Sequence, residues 1–316
     1  MRYLVTGGAG FIGSNTVDEL VRRGHDVVVL DDLSTGRAAN LAAARSKIKF
    51  LEESITNLKA LHEASRGVNC VIHLAAQTSV PRSVKDPIET NEINVNGTLN
   101  VLVAARDAKV TRVVFASSCA VYGKTAALPI REDANLAPIS PYGVSKQFGE
   151  AYGRVFQELY GLEFVSMRYF NVFGPRQDPG SPYSGVLSIF NAAVLEGRQP
   201  TIYGDGEQSR DFVYVGNVVE ANLLAAEATG APGQSFNIGT GNRYTLNQTL
   251  ALLEKVTGRP AAAKYAAARD GDIHDSQADI SRTRNMLGYA ARVSFEEGLK
   301  NTWEWFSETQ RMPSRS

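Results

Sequence analysis

Two cysteines and four histidines are all that this 316-residue chain offers of the side chains that most often hold disulfides or metals. Cys70 and Cys119 each sit in an apolar run that reads as a strand or its end. A disulfide framework is therefore not expected, and a reducing cytoplasm fits. His25, His62, His73 and His274 show no metal-ligand spacing, so no metal site is expected. Charge of one sign is lacking too: 33 basic and 33 acidic side chains cancel, with no basic stripe. Neither nucleic acid nor an anionic membrane surface is an expected partner. No apolar run approaches the roughly 20 residues needed to cross a bilayer. The opening MRYLVTGG runs from strand straight into a glycine turn, which leaves no room for a signal peptide. Internal repeats and low-complexity tracts are absent as well.

What the chain does have is 43% apolar residues arranged in short β-branched runs. RYLVT, DVVVLD, IKFLE, NCVIHLA, RVVFASS and EFVSMRYF read as strands, each nearly all apolar. Strands buried on both faces have this texture. Between them lie amphipathic helical patterns, such as Asn94 to Ala108 and Tyr142 to Gly161. The alternation implies a doubly wound parallel α/β sheet of the Rossmann type. After Gly174 a Pro/Gly-rich loop leads into a helix from Val186 to Glu196 and short strands near Ile202 and Phe212. SFNIG, following a helix from Gly216 to Ala228, is expected to return once to the main sheet. The expected division is interwoven: a dinucleotide-binding domain of residues 1–174 with 213–240, and a smaller mixed lobe of residues 175–212 with 241–316.

VTGGAGFIGS places Gly7, Gly10 and Gly13 between the first strand and a helix. In such a turn one glycine makes the bend, one admits a pyrophosphate, and one lets the helix pack on the strand. Phe11 and Ile12 then stand at the helix N-terminus that faces the phosphates. The second strand ends at Asp31 and Asp32, about 20 residues on, as ribose recognition requires. A carboxylate there accepts from a ribose 2′-hydroxyl and repels a 2′-phosphate, so the expected cofactor is NAD. Arg37 reads as a solvated loop charge.

SPYGVSK sets Tyr142 one helical turn ahead of Lys146, directly after Pro141. Positions i and i+4 share a helix face. A phenol of ordinary pKa, about 10, is a poor base at neutral pH. A neighbouring ammonium and a positive nicotinamide ring are expected to bring it down.

In this order the glycine triplet, HLAAQ, NVNGTLN, SSCAVYG, YGVSK and RYFNVFGP resemble the extended short-chain dehydrogenase/reductase superfamily. From Arg2 to about Phe306 the chain is most similar to UDP-galactose 4-epimerases and their UDP-N-acetylglucosamine relatives. The resemblance implies a catalytic set of Ser118, Tyr142 and Lys146. It implies that Leu74, Ala75, Ala76, Asn94, Ser54, Ile55, Ser117 and Tyr169 join the cofactor site. Ser54 departs from the family's aspartate and implies weaker selectivity for the adenine. Asn171, Arg210, Arg269 and Asp272 match positions that hold the uridine diphosphate, with Ser79, Cys119, Val186 and Tyr203 lining the sugar-nucleotide site. Tyr203 and Phe190 are as readily core aromatics. The related dehydratases and decarboxylases carry acids just after the catalytic hydroxyl, where this chain has Cys119 and Ala120. The implied reaction is therefore epimerisation: oxidation of C4 with NAD, rotation of the 4-keto sugar, and re-reduction on the other face. Ser276 stands where glucose-restricted members carry a tyrosine beside the sugar 2-position, which implies room for an N-acetyl group. UDP-GlcNAc and UDP-GalNAc are then expected substrates, beside UDP-glucose and UDP-galactose. The rivals are a UDP-glucuronate 4-epimerase and a non-catalytic NAD-sensing regulator. The family also implies a homodimer, through the helices at Asn94 to Ala108 and Tyr142 to Gly161.

Overall fold

A computed structural model describes residues 1–125, 127–178, 185–268 and 273–311, without the side chains of residues 309–311. Its centre is a seven-stranded sheet in the order Ser235–Ile238, Glu163–Tyr169, Arg112–Ser118, Cys70–His73, Arg2–Thr6, Asp26–Leu30, Ile48–Leu51. Every neighbouring pair is parallel. The first strand shows why the apolar runs have no polar alternation. Tyr3 and Val5 pack into one helix layer while Leu4 packs into the other. The first layer holds Val17 and Leu20 of helix Phe11–Arg22 and Val218 and Leu223 of helix Val215–Glu227. The opposite layer holds Leu61 of Leu58–Ala64, Val101 and Leu102 of Gly97–Asp107, and Phe156 of Pro141–Tyr160. The fold is thus the doubly wound α/β class expected.

Strand order reverses beside Arg2–Thr6, and the carboxyl ends of strands open a crevice at such a reversal. The glycine turn, the Leu74–Gln77 turn, Asp31 and Ser118 all lie at those ends.

Beyond the sheet, Asn171–Phe173 pairs with Phe212–Tyr214, Thr201–Tyr203 with Lys264–Ala266, and Ser209–Arg210 with Tyr244–Thr245. Phe173 and Phe212 belong to a separate core with Leu187, Phe190, Leu250 and Phe295, whereas Val213 belongs to the main core. One short strand pair therefore faces both cores. The helix expected from Asn94 begins differently. Residues Glu92–Asn96 form a π-helical turn, and the α-helix starts at Gly97. Such a turn shifts one residue out of register, a device frequent at functional sites. Here it buries the Asn94 amide.

Candidate active site

The helix Pro141–Tyr160, which carries the expected catalytic pair Tyr142 and Lys146, is set at both ends by local chemistry. Ser140 caps it, accepting from Gly143 N at 3.1 Å, and Pro141 occupies the first turn, where no amide donor is missed. Gly161 closes it in the left-handed conformation, φ 68°. Midway, a Cβ on Gly149 would stand 2.3 Å from the Phe115 ring, so only glycine lets this helix seat on its strand. That seating puts the Lys146 ammonium 5.1 Å from the centre of the Phe115 ring and 5.8 Å from that of Tyr142. The Tyr142 phenol lies close enough to Ser118, at the end of strand Arg112–Ser118, for that hydroxyl to favour its ionised form. The three expected catalytic side chains are together.

Without a bound cofactor, burial sets their ionisation. It pushes the Tyr142 phenol up to about 12, against the downward pull of the nearby Ser118 hydroxyl. Burial likewise brings Lys146 down to about 7. In the chain by itself, desolvation of both groups outweighs the help an ammonium gives a phenolate. The phenol is held neutral until a charged partner enters.

At the glycine turn, a Cβ on Gly13 would lie 2.0 Å from the Gly7 carbonyl oxygen, so helix and turn touch backbone to backbone. Gly10 is crowded only by that same oxygen, at 3.2 Å. It begins helix Phe11–Arg22 with no side-chain cap, which leaves first-turn N–H groups aimed at the crevice. A pyrophosphate fits such a cradle by charge and by space. Asp31, buried, accepts from Ala9 N at 2.8 Å and Leu33 N at 2.9 Å, and burial raises its pKa. Two bonds leave a carboxylate acceptor capacity for a ribose hydroxyl. These residues fit an adenosine diphosphate with free ribose hydroxyls, the NAD half that the sequence implies.

Other expected cofactor residues are placed more variously. Asn94 clamps the turn after Cys70–His73, accepting from Gln77 N at 2.7 Å and donating to Gln77 O at 2.9 Å. It also donates to Ser145 Oγ at 3.0 Å, on the catalytic helix. Leu74, Ala75 and Ala76 are half-buried on that turn. Ile55 is buried beneath Gly97. Tyr169 donates to Asn222 at 2.8 Å, and Tyr142 lies close enough to oppose the ionisation of Tyr169. Asp32 is exposed and bound to Ser34 in its own turn, and Ser54 accepts from Thr56. Arg37 is exposed and paired with Asp178 at 2.8 Å. The Ser117 side chain points away from the crevice and donates to Glu150 in the interior.

Of the expected substrate residues, Asn171 donates to Ser276 Oγ and to Asp211 O, both at 3.2 Å. The Arg210 guanidinium donates to Ser209 O at 2.9 Å and His274 O at 2.8 Å. It also lies near enough to Cys119 to favour the thiolate, although burial dominates and pushes that thiol up to about 11. Cys119, next to Ser118 in sequence, thus lies near Arg210, and Asn171 and Ser276 meet each other. Ser79 caps the short helix Val80–Lys85, and Val186 begins helix Val186–Leu195. Tyr203 is 38% exposed, whereas Phe190 is wholly core. Arg269 and Asp272 lie outside the described residues.

Sequence reasoning missed the residues that brace the site. Asp211, fully buried, accepts from Thr240 N and Oγ1 at 2.8 Å, Gly241 N at 3.0 Å and Ala278 N at 3.1 Å. His73 bridges Thr6 and Thr98 at 2.7 and 3.0 Å, and burial brings it down to about 3, so it braces the crevice as a neutral ring. Among the described residues no group of acidic, histidine and cysteine side chains could hold a metal, and no helix is long and apolar enough to cross a membrane.

Comparison with known proteins agrees with this geometry. The model of the "NAD dependent epimerase/dehydratase family" matches residues 3–239. A UDP-glucose 4-epimerase of Mycolicibacterium smegmatis is 42% identical over 97% of this chain and 98% of its own. Among solved structures, the UDP-glucose 4-epimerase of Thermotoga maritima with UDP-glucose superposes with a TM-score of 0.94 at 41% identity, covering 98% of this chain and 100% of that one. The UDP-N-acetylglucosamine 4-epimerase of Methanobrevibacter ruminantium, in complex with UDP-N-acetylmuramic acid, gives 0.93 at 39% identity, with 98% of each chain covered.

Proposed function

This chain belongs to the NAD dependent epimerase/dehydratase family, and we propose that within it the protein inverts C4 of UDP-hexoses, N-acetylated ones included. The observation that carries the reading is the joined set of Ser118, Tyr142 and Lys146 beside an uncharged Cys119–Ala120 turn. That turn carries no carboxylate to drive elimination from the sugar.

A bound NAD would supply reversible hydride chemistry at C4, so the reaction has no net redox change. Gly7, Gly10 and Gly13 with Asp31 would hold its adenosine diphosphate. Lys146 holds the nicotinamide ribose and offsets charge on the phenol. Tyr142 takes the proton of the sugar 4-hydroxyl and gives it back, with Ser118 bridging the two oxygens. Arg210 and Asn171 grip the diphosphate while the sugar turns, because a planar guanidinium makes charge-assisted bonds to phosphate oxygens. Arg269 and Asp272 complete that grip in the proposal. Ser276, hydrogen-bonded to Asn171, leaves the 2-position unwalled.

The active form is a homodimer. Val144, Phe148, Val155 and Leu159 share one face of the catalytic helix and are 38%, 50%, 46% and 68% exposed. Beside them a groove of about 590 Å³ is lined by Pro87, Val95, Ile139, Val144 and Phe148. A second copy would bury both.

The test is to purify the protein, denature a portion and assay the supernatant for NAD. The rest is offered UDP-GlcNAc, UDP-glucose and UDP-glucuronate. Bound NAD, formation of UDP-GalNAc and UDP-galactose, and no lasting absorbance at 340 nm are expected. Turnover of UDP-glucuronate alone would move the protein to the uronate branch. Bound NAD with no turnover of any sugar would make it a sensor.

A further inference from the structure

Behind the active site lies a buried polar cluster that takes no part in the chemistry described so far. Glu150, on the catalytic helix four residues after Lys146, forms a bidentate pair with Arg168 of the strand Glu163–Tyr169, at 2.9 and 2.7 Å. Both side chains are nearly inaccessible, 2% and 4% exposed. Ser117, next to the catalytic Ser118, donates to the same Glu150 oxygen at 2.5 Å. Arg168 spends its remaining donors on Tyr122 Oη and Glu132 O, each at 2.9 Å. Tyr122 donates in turn to Asn237 at 2.6 Å.

A buried ion pair is a poor source of stability, because desolvation costs about what the attraction returns. Its geometry is its use. The cluster ties the helix bearing Tyr142 and Lys146 to the strand end bearing Ser118. It does so through one carboxylate with no slack on either side. We propose that Glu150, held by Arg168, is a positioning residue that sets where Ser118 stands against Tyr142 by anchoring Ser117. The proposal rests on the catalytic roles given to Ser118 and Tyr142.

Glu150→Gln leaves the Arg168 charge buried without a partner and is expected to fold poorly, so Ser117→Ala carries the test. It removes one hydroxyl and leaves the ion pair intact. In the NAD-loaded enzyme, Ser117→Ala should lower kcat about tenfold or more, since small misplacements near reacting groups cost up to about a hundredfold. KM, Tm and NAD content per chain should stay at wild-type values. In a Ser118→Ala background the same change should cost nothing further, because it acts through Ser118. Wild-type kcat in Ser117→Ala, with Ser118→Ala impaired, overturns the positioning role and leaves the catalytic assignment standing. An equal loss in both backgrounds also overturns it. Full activity in Ser118→Ala itself overturns the catalytic reading, and this inference with it.

Discussion

The Asn171 amide donates to the Ser276 hydroxyl at 3.2 Å, joining residues 105 apart in sequence. Asn171 stands two residues past the end of the sheet strand Glu163–Tyr169, and Ser276 is 6% exposed. A tyrosine at 276 has little room in that buried place, and under the proposed function its ring would wall the sugar 2-position. Ser276→Tyr should therefore depress UDP-GlcNAc turnover far more than UDP-glucose turnover, as exclusion by one wall does. Rates on both sugars settle it; equal loss on both would remove Ser276 from specificity.

Tyr142→Phe removes the phenol that lies against Ser118. Turnover should fall by about 10²-fold or more, the ordinary range for a general base, while calorimetric UDP-sugar affinity holds. A variant keeping more than about a tenth of the rate would discharge Tyr142 from that role.

Lys146 is held down near 7 by burial, whereas an unfolded lysine titrates at about 10.4. Below pH 7 both states carry the charge, and the folded state bears the full cost of burying it. As pH rises from 7 towards 10.4 the unfolded state binds more protons, so stability rises and the cost fades. Lys146→Met should accordingly melt higher than wild type at pH 6 in nucleotide-free protein, with the gap closing by pH 10. Thermal melts across that range check the sign. A gap that widens with pH would mean that Lys146 is charged and paired.

Phe148→Asp sets a carboxylate in the middle of the exposed apolar face of the catalytic helix. Dimers built on that face should dissociate, which sedimentation at micromolar concentration reads directly. A variant that sediments as wild type places the subunit contact elsewhere.

The parts legible in the sequence are those fixed by local spacing. Six sheet strands showed as apolar runs, because a parallel strand is buried on both sides. The glycine turn showed because Gly7 and Gly13 meet through backbone, and the Tyr142–Lys146 pair because one helical turn separates them. What stayed hidden depends on distant packing. In the cofactor-free chain burial raises the phenol, because desolvation belongs to the folded surroundings and not to the pentapeptide. Ser117 and Ser118 differ by one strand step, so one faces the interior and the other the site, and nothing local tells which of the pair is spoken for. Asn94 turns inward because a π-helical turn slips the register, a slip that no periodicity foretells.

The edge strand Ser235–Ile238 lies against Glu163–Tyr169, yet residues 170–234 lie between them in sequence. During synthesis Glu163–Tyr169 can pair with Arg112–Ser118 early, but its other side stays bare until residue 238 has emerged. An unpaired parallel edge is a template for another chain, and a long detour before closure slows folding. A nascent chain of this protein carries its own aggregation hazard through the making of the whole intervening segment. Arg168 waits there as well: it meets Glu150 on the same early-made layer, but Tyr122 finds Asn237 only when the last strand docks. The seam that completes the sheet is thus also the last one to be sewn.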